Sequence, residues 1–145
     1  KNLFNELLHR ILDKKIFYLG ICVGMQILSE YGFENDKTKG LNLIKGNVEK
    51  ILVKKEVLPN IGWHNIILEK KNSLLFKDIN INEMFFYFVH SYCFNLDHQE
   101  NCSSSIYYEK KITASVEKDN IFGVQFHPEK SQSAGLKILK NFCNL

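Results

Sequence analysis

Two glycines that flank a cysteine at equal distance constrain the fold of this chain more than any other feature. Residues 20–24 read GICVG, with Cys22 at the centre. The preceding residues 15–20 (KIFYLG) are short, apolar and β-prone, whereas residues 23–31 have a helical pattern. A strand that turns directly into a helix needs small neighbours at the turn, because the helix packs closely on the strand that it leaves. The spacing matches the G-x-S-x-G nucleophile elbow, with sulfur in place of oxygen.

The position of Cys22 at a strand-to-helix turn predicts a reactive thiol. The unpaired N–H groups and the dipole at a helix N-terminus stabilise a thiolate relative to a thiol. The alternative is that Cys22 is a small buried hydrophobic residue, as a cysteine between apolar neighbours usually is. The two glycines and the strand-to-helix context favour the nucleophile.

Residues 127–129 (HPE) supply the groups that such a nucleophile requires. A nucleophilic thiolate needs a base that keeps it ionised and an acid that protonates the leaving group, and histidine does both near neutral pH. His127 follows an apolar strand pattern, and Glu129 lies two residues further on, where it can orient the imidazole ring. The hypothesis is a triad of Cys22, His127 and Glu129 that the fold brings together.

The other histidines have simpler interpretations. His9 lies in a predicted helix, His64 follows a tryptophan and His98 lies in a polar segment, so all three are assigned to the surface or to packing. His90 ends a strand pattern (VHSY) and could face a pocket at the edge of a sheet. A hydrogen-bonded structural histidine is the alternative for His90.

The apolar segments predict a single α/β domain. The 145 residues, of which 45% are hydrophobic, suffice for one packed core. Besides the elbow, we expect strands within residues 41–57, 58–68, 84–94, 105–108, 112–116 and 121–126, and helices at residues 3–12 and 132–142. Strand, helix, a run of strands, and then strand and helix again indicate an α/β sheet with an antiparallel addition.

Composition and charge argue against several classes of function. The net charge of +3 arises from 19 basic and 16 acidic residues that are dispersed along the chain, as on a solvated surface. The four cysteines form no C-x-x-C pair, and no histidine lies at zinc-ligand spacing. No apolar run reaches the roughly 18 residues of a membrane span. We therefore expect a cytoplasmic protein with reduced thiols, no metal or cofactor, and no nucleic-acid or membrane partner.

Four segments together resemble the class I glutamine amidotransferases. They are LGICVGMQIL (residues 19–28), FVHSYCF (88–94), GVQFHPEKSQ (123–132) and LKILKNF (136–142). The sequences HPEKSQ, NIGWHN and YFVHSY narrow the resemblance to the glutaminase subunit of imidazole glycerol phosphate synthase. The resemblance spans residues 16–145 and implies a flavodoxin-like three-layer α/β fold with a mixed sheet.

The resemblance implies a role for each residue of the hypothetical triad. Cys22 would attack the side-chain amide of L-glutamine, His127 would act as base and acid, and Glu129 would orient His127. The residues implied to hold the substrate are Gly24, Gln26, Glu34, His90, Ser91 and Tyr92. The alternative for Gln26 is a polar residue on an exposed turn.

A partner protein is also implied by the resemblance. In this family the ammonia passes to a cyclase barrel subunit, which with the glutaminase forms a heterodimer of histidine biosynthesis. Trp63 and Lys130 match positions at that interface, although a lone tryptophan is most often a core anchor and a lysine is often merely solvated. His64 departs from the family, which commonly has asparagine there. A related group that supplies ammonia for amidation of a surface-polysaccharide sugar therefore stays an alternative.

The family pattern also begins earlier than this chain does. It has strands and a glycine-rich oxyanion loop before the elbow, and the chain starts at Lys1 directly with a helical pattern. The expectation is a domain that lacks its N-terminal part. A partner-binding remnant without activity is a further alternative. A Cys/His/Glu peptidase or other hydrolase is another, and Gln26 and the HPEKSQ and YFVHSY segments argue against this second one.

Overall fold

The computed structural model describes residues 2–145. Within them the helices are α1 (Asn2–Leu12), α2 (Val23–Gln26) and α3 (Gln132–Cys143). The strands are β1 (Tyr18–Ile21), β2 (Tyr31–Gly32), β3 (Thr38–Lys39), β4 (Gly46–Lys50), β5 (Asn60–Asn65), β6 (Ile67–Leu68), β7 (Phe85–His90), β8 (Tyr92–Leu96), β9 (Cys102–Tyr108), β10 (Lys110–Lys118) and β11 (Ile121–Val124). The predicted α/β class with a mixed sheet is confirmed.

Residues 2–145 form three sheets. The largest has the order β1-β11-β10-β9-β6, a second has the order β3-β2-β4-β8, and β5 pairs with β7 alone. In the largest sheet β1 and β11 run parallel, whereas β11, β10, β9 and β6 are joined antiparallel. The parallel pair is in register from Tyr18 opposite Ile121 to Ile21 opposite Val124. The residues that follow β1 and β11 therefore emerge at the same edge of the sheet.

Aromatic side chains fill the core on one side of this parallel pair. Phe86, Phe88, Phe122 and Phe126 are all fully buried. The rings of Phe86 and Phe126 stack with their centroids 4.2 Å apart, and Phe88 meets Phe126 edge-on. Phe126 directly precedes the predicted base, so the packed ring fixes the backbone from which the HPE turn departs.

The single strand predicted at residues 84–94 is instead two strands in different sheets. β7 pairs with β5 and β8 pairs with β4, with the change of sheet at Ser91. The carbonyl of Ser91 accepts a hydrogen bond from the backbone N–H of Ile51 at 2.9 Å. The residues on both sides of Ser91 have the same apolar strand pattern, so the sequence did not show that one strand ends there and another begins.

The helix predicted at residues 23–31 ends after Gln26. Backbone groups beyond it bond to the segment at residues 40–46 instead of continuing the helix: Leu41 N–H donates to the Ile27 carbonyl at 2.6 Å and Leu43 N–H to the Leu28 carbonyl at 3.0 Å. A non-local pairing has therefore replaced the i to i+4 ladder that the apolar spacing predicted.

Helices α1 and α3 lie where the sequence predicts them, but α1 is less buried than its apolar stripe indicates. Ile11 is fully buried, whereas Leu3 is 84% exposed. On α3, Ala134 and Ile138 are buried as predicted. No helix within residues 2–145 is long and apolar enough to cross a membrane.

Candidate active site

The predicted elbow is present, and it places Cys22 in a strained backbone conformation. Cys22 has φ 53° and ψ −111°, a combination that a residue with a side chain seldom adopts. Its backbone N–H donates to the carbonyl of Val124 on the neighbouring strand at 2.8 Å. The end of β1 thus stays anchored to β11 while the chain turns sharply into α2, which presents the sulfur at the sheet edge.

Only one of the two flanking glycines lies where a side chain would not fit. A Cβ on Gly20 would lie 2.1 Å from the carbonyl oxygen of Gly24, so the close approach of α2 to β1 excludes any side chain there. A Cβ on Gly24 would meet nothing nearer than the Tyr18 hydroxyl at 3.9 Å. The Gly24 carbonyl accepts a hydrogen bond from that hydroxyl at 3.0 Å.

The pKa of Cys22 is raised overall, not lowered as the sequence suggested. Burial raises the pKa of the Cys22 thiol above its ordinary value, and the charge of Glu129 adds to the increase. The backbone N–H of Val23 and the side-chain amide of Gln125 act in the opposite direction. Burial therefore outweighs the hydrogen bond from the first N–H of this four-residue helix.

His127 and Glu129 form the predicted pair. Nδ1 of His127 lies 2.7 Å from Oε1 of Glu129, and the backbone N–H of His127 donates to the Tyr87 carbonyl at 2.9 Å. The opposite nitrogen, Nε2, is buried and makes no hydrogen bond to any residue in the described range 2–145. A buried ring nitrogen without a partner indicates a group that meets a reacting atom.

The carboxylate of Glu129 is suited to orient the ring. Burial acts to raise the pKa of Glu129, but the hydrogen bond and charge of His127 and the charge of Lys130 outweigh it, so this pKa lies below its ordinary value. An ionised Glu129 accepts a hydrogen bond from Nδ1–H, which leaves Nε2 of a neutral His127 as a proton acceptor. Because Glu129 is 51% exposed, its contribution is orientation more than a strong charge interaction.

Gln125 contacts the nucleophile and was not identified from the sequence. Its side chain is fully buried, and Nε2 lies 3.7 Å from the Cys22 sulfur. Its Oε1 accepts a hydrogen bond from Nε2 of Gln26 at 2.9 Å. The sequence nevertheless contained an indication of this role, because a lone amide within the apolar segment FGVQF requires a buried hydrogen-bond partner.

A pocket of about 230 Å³ adjoins the elbow. Gln26, Glu34 and Tyr92 line it, so the structure brings together three of the six predicted substrate-binding residues. The Tyr92 hydroxyl donates to the Glu34 carbonyl at 3.0 Å, and Nε2 of Gln26 donates to the Tyr92 carbonyl at 3.2 Å. Gly24, His90 and Ser91 are not among the lining residues.

His90 is buried in a hydrogen-bond network beside this pocket. Its Nδ1 donates to the Tyr92 carbonyl at 2.8 Å, and its Nε2 accepts from the Asn60 amide at 3.1 Å. The Asn60 oxygen in turn accepts from Nε2 of His64 at 2.7 Å. Both ring nitrogens of His90 are therefore occupied within the protein, in keeping with the alternative of a structural histidine.

Lowering the pH from 7 to 5 is expected to destabilise the protein through His90. Burial lowers the pKa of His90 to about 4, the hydrogen bond to the Tyr92 carbonyl opposes this only in part, and the neighbouring His64 and His127 add to the lowering. Between pH 4 and the unfolded value near 6.5, only the unfolded state binds the proton. The free energy of unfolding then falls by about 1.4 kcal/mol per pH unit, as urea titrations at several pH values would measure.

The matched control for this effect is His90→Gln. This variant keeps hydrogen-bonding capacity at the position and removes the titrating group, so its stability should depend less steeply on pH between 5 and 6.5. Equal slopes for the two proteins would contradict the assignment to His90. His64 has a pKa that burial also lowers, and it is common to both proteins.

The two residues predicted to contact a partner lie on one surface. The ring of Trp63 stacks on Phe85 with centroids 5.4 Å apart and meets Tyr87 edge-on at 5.8 Å. The Lys130 ammonium lies 5.8 Å from the centre of the same Tyr87 ring. Trp63 is therefore a half-buried residue of the β5–β7 surface and not an anchor of the main core.

A family model described as glutamine amidotransferase class-I matches residues 3–145. The chain belongs to the class-I glutamine amidotransferases. Among curated relatives, the imidazole glycerol phosphate synthase subunit HisH of Pelagibacter ubique is 50% identical over 129 residues, covering 88% of this chain and 61% of that protein. The subunit of the same name from Methanocaldococcus jannaschii is 45% identical over 141 residues, covering 97% of this chain and 69% of that protein. This chain thus spans between 60 and 70% of the length of these two relatives.

Solved structures show the same fold at low sequence identity. A putative GMP synthase protein from Thermoplasma acidophilum has a TM-score of 0.66 at 20% identity, covering 99% of this chain and 63% of that one. A glutamine amidotransferase from Thermotoga maritima has a TM-score of 0.58 at 20% identity, covering 99% of this chain and 53% of that one. These structures confirm the predicted class-I glutamine amidotransferase fold. The curated relatives confirm the resemblance to the synthase subunit.

Proposed function

We propose that this protein hydrolyses L-glutamine and supplies the ammonia to a cyclase barrel subunit that makes imidazole glycerol phosphate in histidine biosynthesis. The observation that carries the proposal is the sheet edge at β1 and β11. There, a strained cysteine follows one strand, and a histidine with a carboxylate on Nδ1 and a free Nε2 follows the other. This is the set of groups that acyl transfer through a thioester requires.

The proposed reaction has two steps. In the first, His127 takes the proton of the Cys22 thiol, the sulfur bonds to Cδ of glutamine, the Cδ–N bond breaks, and the nitrogen takes that proton from His127 and leaves as ammonia. In the second, His127 removes a proton from water, the water oxygen bonds to Cδ, and the C–S bond breaks to return the thiolate. The sum is glutamine and water giving glutamate and ammonia.

The pocket beside α2 is the proposed site for the glutamine main chain. Its lining combines the polar groups of Gln26, Glu34 and Tyr92 with apolar side chains such as Ile27 and Phe33. A mixed wall of this kind suits an amino acid whose charged end must be oriented while its side chain reaches Cys22.

The names of the curated relatives support the histidine pathway over sugar amidation. The departure at His64 does not favour the second alternative, because the His64 ring packs edge-on between Phe88 and Tyr108 and bonds to Asn60. It thus faces the protein interior. The β5–β7 surface with Trp63 and Lys130 is the proposed docking face for the barrel subunit.

Covalent labelling tests the proposed function directly. A glutamine analogue with a diazoketone in place of the amide should alkylate the Cys22 sulfur, and peptide mass spectrometry should locate the added mass there. An excess of L-glutamine should protect Cys22, whereas L-norleucine, which lacks the amide, should not. Labelling that is absent from Cys22, or that glutamine fails to suppress, would overturn the assignment.

A further inference from the structure

Gln125 lies beside the nucleophile but has no role in the two proposed reaction steps. It lies just beyond β11, two residues before His127, and its side chain is completely buried. Its backbone N–H donates to the Ala114 carbonyl at 2.8 Å, so the main chain is held on β10. An amide that is removed from water at this edge must be matched by specific partners.

The hydrogen-bond network determines which end of the Gln125 amide faces the sulfur. The Tyr92 carbonyl can only accept, so the end of Gln26 at 3.2 Å from it is the amino group. That amino group also lies 2.9 Å from Gln125, which must present its oxygen there. The amino group of Gln125 therefore points to the Cys22 sulfur at 3.7 Å.

The sulfur needs such a donor. Burial and the negative charge of Glu129 both oppose formation of a thiolate at Cys22. The short helix α2 offsets this with one backbone N–H, that of Val23. A fixed N–H donor stabilises a thiolate more than a neutral thiol, because a hydrogen bond to a charged acceptor is the stronger one.

We propose that Gln125 is a catalytic residue that donates a hydrogen bond to the Cys22 thiolate, and that Gln26 holds the Gln125 amide in the donating orientation. The inference rests on the proposed function for its purpose, since a glutaminase requires the thiolate. Because Gln26 also lines the pocket, the same two amides connect the substrate site to the nucleophile. Gln26 is in this respect a positioning residue.

Thiol alkylation as a function of pH tests the inference without requiring glutamine turnover. The full protein is treated with iodoacetamide between pH 5 and 10, and modification of Cys22 is followed by peptide mass spectrometry. The exposed Cys143 in the same sample serves as the internal reference. Gln125→Met removes the donor at similar volume, and Gln125→Glu keeps the oxygen that Gln26 bonds and replaces the donor by a second oxygen.

We expect Cys22 of Gln125→Met to react about tenfold more slowly at pH 7, with its inflection about one pH unit higher. Gln125→Glu should shift the inflection at least as far, because it adds a negative charge. Gln99→Glu, the same change at an exposed position, should react like the unaltered protein. Circular dichroism establishes that each variant is folded.

An unchanged inflection in folded Gln125→Met would overturn the inference. If both Gln125 variants unfold, Gln26→Leu decides the matter, because it frees the amide to rotate and should raise the inflection, and an unchanged value there also overturns the inference. Failure of the proposed function is distinguishable: the diazoketone would then not label Cys22, while the effect of Gln125 on iodoacetamide alkylation would persist.

Discussion

Cys22→Ala is expected to reduce glutamine hydrolysis by about 10⁴-fold or more, since removal of a nucleophile leaves only the catalysis that binding and the remaining groups supply. The alanine lacks the sulfur that would bond to Cδ, so the thioester step has no substitute among the neighbouring side chains. Glutamate formation is measured in the presence and absence of the cyclase barrel subunit. We expect the barrel to increase turnover only when Cys22 is present.

Cys143→Ala is the matched control for this loss. Cys143 ends α3, is exposed, and lies outside the site, so its replacement should leave turnover within about twofold of the unaltered protein. Turnover of Cys22→Ala within tenfold of the unaltered protein would refute the nucleophile assignment. Binding of glutamine should survive in this variant, because the pocket lining is unchanged.

Gly20→Ala is expected to lower the free energy of unfolding by about 3 kcal/mol or more, as measured by urea titration. The added Cβ would lie 2.1 Å from the Gly24 oxygen, 2.4 Å from the Gly24 carbon and 2.7 Å from the Met25 nitrogen. All three are backbone atoms, so no side-chain rotation relieves the contact. The helix α2 must move off β1, which also displaces Cys22, and glutamine hydrolysis should fall with stability.

Gly24→Ala separates this steric effect from the general effect of replacing a glycine. The position has open space, and alanine favours a helix over glycine by about 0.5–1 kcal/mol. Its unfolding free energy should therefore be unchanged or slightly higher. A loss comparable to that of Gly20→Ala would contradict the structural distinction between the two glycines.

The sequence predicted the local geometry at the two segments of the candidate site better than it predicted the structure around them. Residues 20–24 and 127–129 could be interpreted locally, because a strand-to-turn change, a flanking glycine and an adjacent acid are all encoded within a few positions. Their placement at one edge of the sheet follows from the parallel pairing of β1 with β11, which the predicted α/β class already favoured. The close approach that requires Gly20 was also anticipated.

Other features depended on contacts between distant segments, and the local pattern could not indicate them. The end of α2 at Gln26 is decided by the bonds of the next residues to the segment at 40–46, and the break at Ser91 is decided by two different partner strands. Burial of the sulfur likewise depends on packing, which is why its pKa is raised although a helix follows.

Cys22 illustrates the difference between what the local sequence determines and what tertiary contacts decide. The residues around Cys22 determined by themselves that a strand ends in a tight turn with a thiol at its apex, since backbone sterics act over a few bonds. Only the tertiary structure decided which groups touch that thiol, because the amide of Gln125 lies 103 positions away along the chain and reaches the sulfur through strand pairing. Chemistry at the sulfur depends on both.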